Sequence, residues 1–309
     1  MGPVHTPPLN ATLFHPRYWL LWCGLGLLWL LVQLPYPFQM RLGRMLGRLA
    51  MRFLKRRVHI ARRNLELALP ELSAAAREHL LHRNFESVGC AIFEVGMAWY
   101  WPDRRMRALM QIDGEEHVRE ALAGSHGMLL LSCHFLTLEL NARMFGLLQP
   151  GVGVYRPNDN PVLEYAQVRG RTRSNKCLLD RTDIKGMIKA LRQGEALWYA
   201  PDHDYGRHAS VFVPFFAVED SATITGTATL ARVKNTRVLP CYTLRLAHDQ
   251  GYRLVIEAPL TDFPIGDDIV DATRSNRVIE NAIRHAPEQY MWLHRRFKTR
   301  PNPEQPRRY

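Results

Sequence analysis

Hydrophobic positions are concentrated first in one long run near the start of this 309-residue chain. Residues 18–34 carry no charged side chain and include three tryptophans. This run lies at the short end of the roughly 17–25 apolar residues that a bilayer-spanning helix needs. Tryptophan also suits the interface between lipid and water. The pattern predicts a membrane anchor helix over 17–38, preceded by a tail over 1–16.

A cleaved signal peptide and a buried core helix are the alternative interpretations of this run. The sequence that follows it, at 34–37, offers no small-residue cleavage site, and the run has no polar face. One basic residue precedes the run and seven follow it by position 57. The positive-inside rule therefore predicts a single-pass anchor whose following chain faces the cytoplasm.

Basic and apolar positions then alternate with the period of a helix. The basic residues lie three or four positions apart: Arg41, Arg44, Arg48, Arg52 and Lys55. Because leucine, methionine and phenylalanine fill the other side, we predict a basic amphipathic helix over 39–66 that lies on anionic membrane lipid. A surface helix packed on its own domain is the alternative, and an acidic carrier protein is a second partner for the basic face.

Beyond residue 66, apolar runs of strand length alternate with helical patterns. The predicted strands are 128–133, 151–155, 195–200, 237–244 and 252–258. The predicted helices are 74–87, 85–101, 136–148, 160–172, 184–192, 221–233 and 267–285. Glutamates in the apolar stretch 85–101 favour a buried or interfacial helix over a membrane span. This alternation predicts an α/β fold with a mixed, mostly parallel sheet in one domain over 67–309.

The net charge of +12 is confined to two stretches. Nine basic residues and no acid lie between 41 and 65, and six basic residues face one acid between 295 and 309. A uniformly basic nucleic-acid binder would look different, so nucleic acid is not expected as a partner. Five scattered cysteines without a C-x-x-C motif argue against a disulfide framework and a cysteine zinc site, and fit a reducing compartment.

Two predicted strand ends are rich in polar side chains, and sites in open α/β sheets lie at such ends. His134 follows the first strand, and Glu139 comes five residues later. If His134 lies in the turn and Glu139 in the first helical turns, the carboxylate can orient the imidazole, which takes a proton from an alcohol. A structural histidine is the more frequent meaning of such spacing. The sequence contains neither the Gly-x-Ser-x-Gly motif of a serine nucleophile nor the His-Glu-x-x-His motif of a zinc protease, so neither offers an alternative catalytic centre.

The second polar strand end carries Asp202, His203 and Asp204. Adjacent residues of an extended chain point in different directions, so a loop that shapes a substrate pocket is favoured over a metal site. Arg156 and Arg173 flank the same region and are candidates to bind a phosphate or a carbonyl oxygen. Ordinary surface arginines are the alternative for these two.

Several motifs resemble the late acyltransferases of lipid A biosynthesis, and within them the lauroyltransferase type. The resemblance covers nearly the whole chain. Its most extensive motifs are HFLTLEL at 134–140, GVYRPNDNP at 153–161, WYAPDHDYG at 198–206 and APEQYMWLHRRFKTRP at 286–301.

The resemblance implies a glycerolipid-acyltransferase-like α/β sandwich with an N-terminal anchor in the bacterial inner membrane. It implies that the donor is an acyl chain carried by acyl carrier protein, with lauroyl as the favoured chain. The implied acceptor is a hydroxyl of a hydroxyacyl chain on Kdo-lipid IVA. The family's His-x-x-x-x-Glu motif falls on His134 as base and Glu139 as its orienting partner. Arg156 becomes the positive group near the thioester or the acceptor phosphate, and Asp202 to Tyr205 become pocket-forming residues.

No metal or cofactor is implied, because the thioester donor is already activated. A sister enzyme using a myristoyl or palmitoleoyl chain and a lysophospholipid acyltransferase are the alternative enzymes. A membrane-anchored binding or scaffold protein without turnover is the alternative from another class.

Overall fold

A seven-stranded sheet organises the computed structural model, which describes residues 2–309. The strands are Met110–Asp113 (β1), Gly127–Leu131 (β2), Val152–Tyr155 (β3), Cys177–Asp180 (β4), Ala196–Tyr199 (β5), Ser210–Phe215 (β6), Val218–Ile224 (β7), Thr236–Arg245 (β8) and Tyr252–Ile256 (β9). The order in the sheet is β1-β9-β8-β2-β5-β3-β4, and β6 and β7 form a separate antiparallel hairpin. Only β8 and β9 pair antiparallel within the sheet, among the described residues. The predicted mixed, mostly parallel sheet is confirmed.

Helices cover both faces of this sheet. They are Trp19–Leu31 (α1), Tyr36–Phe53 (α2), Lys55–Ala68 (α3), Ala74–Tyr100 (α4), Asp103–Arg107 (α5), Glu115–Ala123 (α6), Leu138–Leu148 (α7), Pro161–Arg171 (α8), Ile184–Arg192 (α9), Gly226–Ala231 (α10) and Asp268–His285 (α11). Successive residues of β2 face opposite layers, as the pleat requires. Leu129 and Leu131 belong to the core that includes α9 and α11, whereas Met128 and Leu130 belong to the core that includes α7.

One predicted helix, 221–233, is wrong in its first part. Residues up to Ile224 belong to β7, and α10 starts only at Gly226. Val213 of β6 pairs with Ser221, and Asn276 of α11 donates to the Thr223 hydroxyl at 2.9 Å. Pairing with a neighbouring strand therefore decides the conformation, which a local helical spacing cannot anticipate.

The two helices predicted over 74–87 and 85–101 are one continuous helix, α4. The apolar half of α4 packs inside the protein rather than spanning a membrane. Glu94 is fully buried there and forms an ion pair with Arg245 at 2.6 Å, while the Tyr252 hydroxyl donates to it at 2.9 Å. A buried carboxylate needs such partners, so the predicted buried helix is confirmed.

The single amphipathic helix predicted over 39–66 is divided into α2 and α3, with Leu54 between them outside helical geometry. α2 crosses α4 at close range through glycines. A Cβ atom on Gly47 would lie 1.9 Å from the carbonyl oxygen of Phe85, and one on Gly89 would lie 1.9 Å from that of Gly43. The glycine-bearing side of α2 therefore packs directly against α4, backbone to backbone.

The opposite side of α2 is exposed and mixes apolar with basic side chains. The exposed residues include Phe38, Arg41, Met45, Leu49, Arg52 and Phe53. This composition agrees with the predicted amphipathic character of the segment.

The single helix predicted over 17–38 is also two helices. α1 ends at Leu31, and α2 begins at Tyr36 beyond Pro35, a residue that disfavours helix before it. Within residues 2–309, no helix is both long enough and apolar enough to cross a membrane.

Candidate active site

The register of two neighbouring parallel strands brings the two polar strand ends together. Leu131 of β2 pairs with Tyr199 of β5, and Ser132 donates its amide to the Tyr199 carbonyl at 2.9 Å. His134 and Asp202 each follow this registered pair by three residues. The two side chains therefore meet at the carboxyl edge of the sheet, where α/β sites form.

The Asp202 carboxylate holds His134 at two points. Its Oδ1 lies 2.7 Å from Nδ1 of the imidazole, and its Oδ2 accepts the His134 backbone amide at 3.0 Å. The hydroxyl of Tyr290 also donates to Oδ2 at 2.8 Å. Burial alone would raise the pKa of Asp202, but the charge and hydrogen bonds of His134 outweigh it and hold this pKa well below its usual range.

This geometry defines which ring nitrogen can react. An ionised carboxylate only accepts hydrogen bonds, so Nδ1 of His134 must donate, and Nε2 then presents its lone pair on the side of the ring away from Asp202. The His134 side chain is 19% exposed, whereas the Asp202 side chain is fully buried. The imidazole is therefore partly open to its surroundings, whereas the carboxylate that orients it is not.

The segment 288–294 folds under the site and supplies Tyr290. Its chain is held by asparagines on two helices. Asn84 donates to the Glu288 and Tyr290 carbonyls at 2.9 and 2.7 Å. Asn64 donates to the Trp292 and His294 carbonyls, each at 2.6 Å.

The same segment completes a stack of three imidazoles, which we call the histidine column. The ring centroids of His134 and His203 lie 3.4 Å apart with 13° between the ring planes. Those of His203 and His294 lie 3.9 Å apart with 15° between the planes. The Tyr205 ring lies beside the middle imidazole, with its centroid 6.5 Å from that of His203 and its plane tilted by 44°.

Glu139, the predicted orienting partner of His134, occupies a different position. It accepts hydrogen bonds from Arg171 at 2.6 Å and from the Trp99 indole at 2.9 Å. As the second residue of α7, it points to α8 and to the end of α4. Asp202 therefore takes the orienting place that sequence spacing assigned to Glu139.

Among the described residues, neither of the two predicted substrate-binding arginines makes a hydrogen bond or an ion pair with the histidine column. Arg156 follows β3 on a loop, is largely exposed and lies 3.8 Å from Asp159. Arg173 is exposed and donates to the Trp99 carbonyl at 3.1 Å.

Sequence reasoning missed Tyr290, His294, Arg171 and Trp99 as parts of the site. The first two lie in the motif at 286–301, which marked the stretch but not these roles. Arg171 and Trp99 carry no such signal, because only the packing of α4, α7 and α8 brings them to Glu139.

A metal at this position fits the donor set poorly. Ligand atoms of His134, Asp202 and His203 all lie within 4.8 Å of one another. The lone pairs of two stacked imidazoles, however, lie in separate and nearly parallel planes and therefore do not converge on one ion, and both Asp202 oxygens already accept hydrogen bonds. Asp204 is turned away, with Thr299 donating to it at 2.8 Å.

A cavity and a groove lie next to the two hydrogen-bond partners of Glu139: Arg171 lines the cavity, and Trp99 lines the groove. A small apolar cavity of about 20 Å³ lies between α7 and the sheet, and Leu138, Phe145, Gly153, Arg171 and Trp198 are among its lining residues. An open groove of about 890 Å³ lies between α1, α4 and α8. Aromatic and basic side chains line the groove: Trp22, Trp29, Trp99, Tyr165, Arg169 and Arg173.

Comparison with known proteins adds a direct assignment. A model of the family described as bacterial lipid A biosynthesis acyltransferase matches residues 7–299. The chain is 55% identical to the lipid A biosynthesis lauroyltransferase of Escherichia coli (strain K12), over 96% of this chain and 97% of that protein. It is 48% identical to the lipid A biosynthesis palmitoleoyltransferase of the same organism, over 93% and 94%. The corresponding myristoyltransferase is 29% identical, over 96% and 92%.

Among solved structures, the 1-acyl-sn-glycerophosphate acyltransferase PlsC from Thermotoga maritima is similar with a TM-score of 0.38 and 12% identity, over 79% of this chain and 97% of that one. This likeness is too weak to establish a common fold, so the predicted glycerolipid-acyltransferase-like sandwich stays a prediction.

A carboxylate-oriented histidine at the carboxyl edge of an α/β sheet defines a site for general-base chemistry. The chain belongs to the bacterial lipid A biosynthesis acyltransferase family. The prediction of an acyltransferase that acts in lipid A biosynthesis is confirmed.

We predict that Asp202→Asn lowers kcat by about 100-fold or more, the size expected when a general base loses its function. It should also move the acidic limb of the kcat/KM profile to lower pH, because the protonated imidazole loses its neighbouring anion. Glu139→Gln is the matched control, since it neutralises a carboxylate that does not contact the imidazole. A shifted pH profile in Glu139→Gln, with an unshifted one in Asp202→Asn, would show that Glu139 orients the base.

Proposed function

We propose that this protein transfers a lauroyl chain from acyl carrier protein to a hydroxyl of a hydroxyacyl chain on Kdo-lipid IVA. The observation that carries the proposal is the 55% identity to a lauroyltransferase along almost the full length of both chains. The orientation of His134, with a partly exposed side chain and Nδ1 bonded to Asp202, supports attack by a hydroxyl on an activated acyl group.

In the proposed reaction, Nε2 of His134 removes the proton from the acceptor hydroxyl as its oxygen attacks the thioester carbonyl. The resulting imidazolium is stabilised by the Asp202 carboxylate 2.7 Å away. The carbon–sulfur bond then breaks, and the proton on Nε2 passes to the departing thiolate. One ester forms, one thioester is consumed and a thiol is released, without a covalent enzyme intermediate.

The apolar cavity beside α7 is the proposed site of the acyl chain, and its walls must move apart for the chain to enter, because the space present is only about 20 Å³. Its lining is almost entirely hydrophobic, and Arg171 and Leu138 border it next to Glu139. Gly153 of β3 lines this cavity, and even a Cβ atom at this position would lie 2.8 Å from the tip of Leu178, so a larger side chain there would block the cavity. A hydrocarbon chain is the occupant that such a lining favours.

Gly153→Leu should therefore shift preference towards shorter acyl donors, by about tenfold for each pair that differs by two methylenes. Competition between ten- and twelve-carbon donors on acyl carrier protein measures this ratio. Gly24→Leu is the control, because no atom lies within 4 Å of a Cβ added there. An unchanged ratio in a folded Gly153→Leu protein would contradict the assignment of the cavity.

Membrane attachment through residues 17–38, at the cytoplasmic face of the bacterial inner membrane, is the proposed location. Trp19, Leu20 and Trp29 on α1 are 60%, 87% and 52% exposed, an unusual density of bare apolar surface. The adjacent groove combines aromatic walls with Arg169 and Arg173. A phosphorylated acceptor lipid entering from the membrane is complementary to both features.

Replacing Trp19, Leu20 and Trp29 together by serine should weaken binding to anionic lipid vesicles about tenfold or more, because each side chain loses apolar burial in the membrane. The double variant Arg169→Gln/Arg173→Gln should instead raise KM for the acceptor and weaken vesicle binding much less than the serine variant does, because the apolar surface of α1 is unchanged. Vesicle flotation and steady-state kinetics separate the two effects. Full vesicle binding by the serine variant would refute attachment through α1.

The reaction itself is tested with the purified protein and one acceptor at a time, Kdo-lipid IVA or a lysophospholipid. Lauroyl, myristoyl and palmitoleoyl chains on acyl carrier protein compete as donors, and mass spectrometry identifies the product. We expect lauroylated lipid A precursor, and no product from His134→Ala because the base is missing; the exposed His79→Ala serves as the control. A palmitoleoyl product would favour the alternative that the 48% identical palmitoleoyltransferase supports, and a lysophospholipid product would overturn the proposed acceptor.

A further inference from the structure

The histidine column places two further imidazoles behind the catalytic one. His203 lies directly on the face of His134, and His294 lies on the other face of His203. The three residues come from distant parts of the chain: the end of β2, the loop after β5 and the segment under the site. Nothing in the reaction proposed above uses His203 or His294.

The three rings differ in what they can bond. His134 has the Asp202 carboxylate at 2.7 Å. By contrast, Nε2 of His203 and Nδ1 of His294 are buried without a hydrogen-bond partner among residues 2–309. An unbonded buried nitrogen is tolerable in a neutral ring, whereas a charged ring would bury an unsatisfied donor and a charge together.

Electrostatics around the column also oppose a second charge. Burial first, and then the adjacent His134, lower the pKa of His203 to about 2. The same two causes lower the pKa of His294 to about 4. Asp202, bonded to His134, is the nearest anion, and Asp204 is bonded to Thr299.

The other groups that face the two rings are cationic or neutral. The charge of Arg296, which is 2% exposed, lowers the pKa of His203, and that of Lys298 lowers the pKa of His294. Tyr205 adds a neutral ring beside His203. A positive charge in the column is therefore favoured only at the end that contacts Asp202.

We infer that His203 and His294 are positioning residues for acyl transfer, which keep the column to a single positive charge on the His134 imidazole. This inference rests on the proposed role of His134 as the base. The neutral face of His203 fixes the ring plane of His134 and attracts the imidazolium that forms when Nε2 takes the hydroxyl proton. The proton stays on Nε2 until the thiolate accepts it, because no neighbouring ring competes for it.

Ring-retaining and ring-deleting variants separate this role from simple packing. His203→Phe keeps a flat ring and loses no side-chain hydrogen bond that the described residues make. We expect it to keep kcat within about threefold, whereas His203→Ala should lower kcat about tenfold or more with little change in KM for either substrate. His208→Phe on the same loop is the control, since His208 is exposed.

The charge state is measured without turnover, by NMR of histidine-labelled protein in detergent between pH 7 and pH 5. We expect His203 and His294 to stay neutral over this range. Because their pKa values are lowered in the folded protein, the unfolded chain binds protons first, and stability falls as pH drops below about 6.5. The Tm of His203→Phe/His294→Phe should therefore fall less between pH 7 and pH 5 than that of the unchanged protein.

Three results would overturn the inference: a protonated His203 or His294 at pH 5, full kcat in His203→Ala, or loss of activity in His203→Phe equal to that in His134→Ala. Absence of acyl transfer by the unchanged protein would refute the proposed reaction instead. The NMR titration still decides the charge of the column in that case, so the two failures are distinguishable.

Discussion

The hydrogen bond between His134 and Asp202 is the constraint on which the site depends. It exists because β2 and β5 are adjacent and in register, so both strand ends reach the same point of the sheet edge. Asp202 fixes the plane of the His134 ring, and only a fixed plane allows His203 to stack on it. The Tyr290 hydroxyl donates to the same carboxylate, so one buried anion positions the His134 imidazole, the stacked rings and the segment 288–294.

The individual strands that carry His134 and Asp202 follow from local sequence patterns, but the pairing of these strands with each other does not. The strand before His134 and the strand before Asp202 are both readable as apolar runs that end in polar residues. Their adjacency is not readable, since β3 and β4 intervene along the chain and the sheet order depends on packing. Both the five-residue spacing and the His-x-x-x-x-Glu motif predict Glu139 as the partner of His134, yet the start of α7 directs this carboxylate to Arg171.

The remaining errors have the same origin in long-range contacts. The sequence around Ser221 has the spacing of a helix, but Ser221 pairs with Val213 of the neighbouring strand β6. His294 is separated from His203 by more than ninety residues, and two buried asparagines of α3 and α4 set its height under the site. A single sequence carries no pattern for such a meeting, whereas the periodicity of α9 or α11 is local and was predicted to within a residue or two.

The glycine contact between α2 and α4 has a mechanical consequence. Backbones that touch through Gly43, Gly47 and Gly89 leave no side-chain layer to slide or bend. α1 is braced against the same helix, where Gly96 lies under Val32. α4 in turn carries Asn84, which holds the chain beneath the imidazoles. A continuous series of close contacts thus joins the apolar outer surface of α1 and α2 to the segment that carries Tyr290 and His294, so the position of that surface also determines the position of the imidazoles.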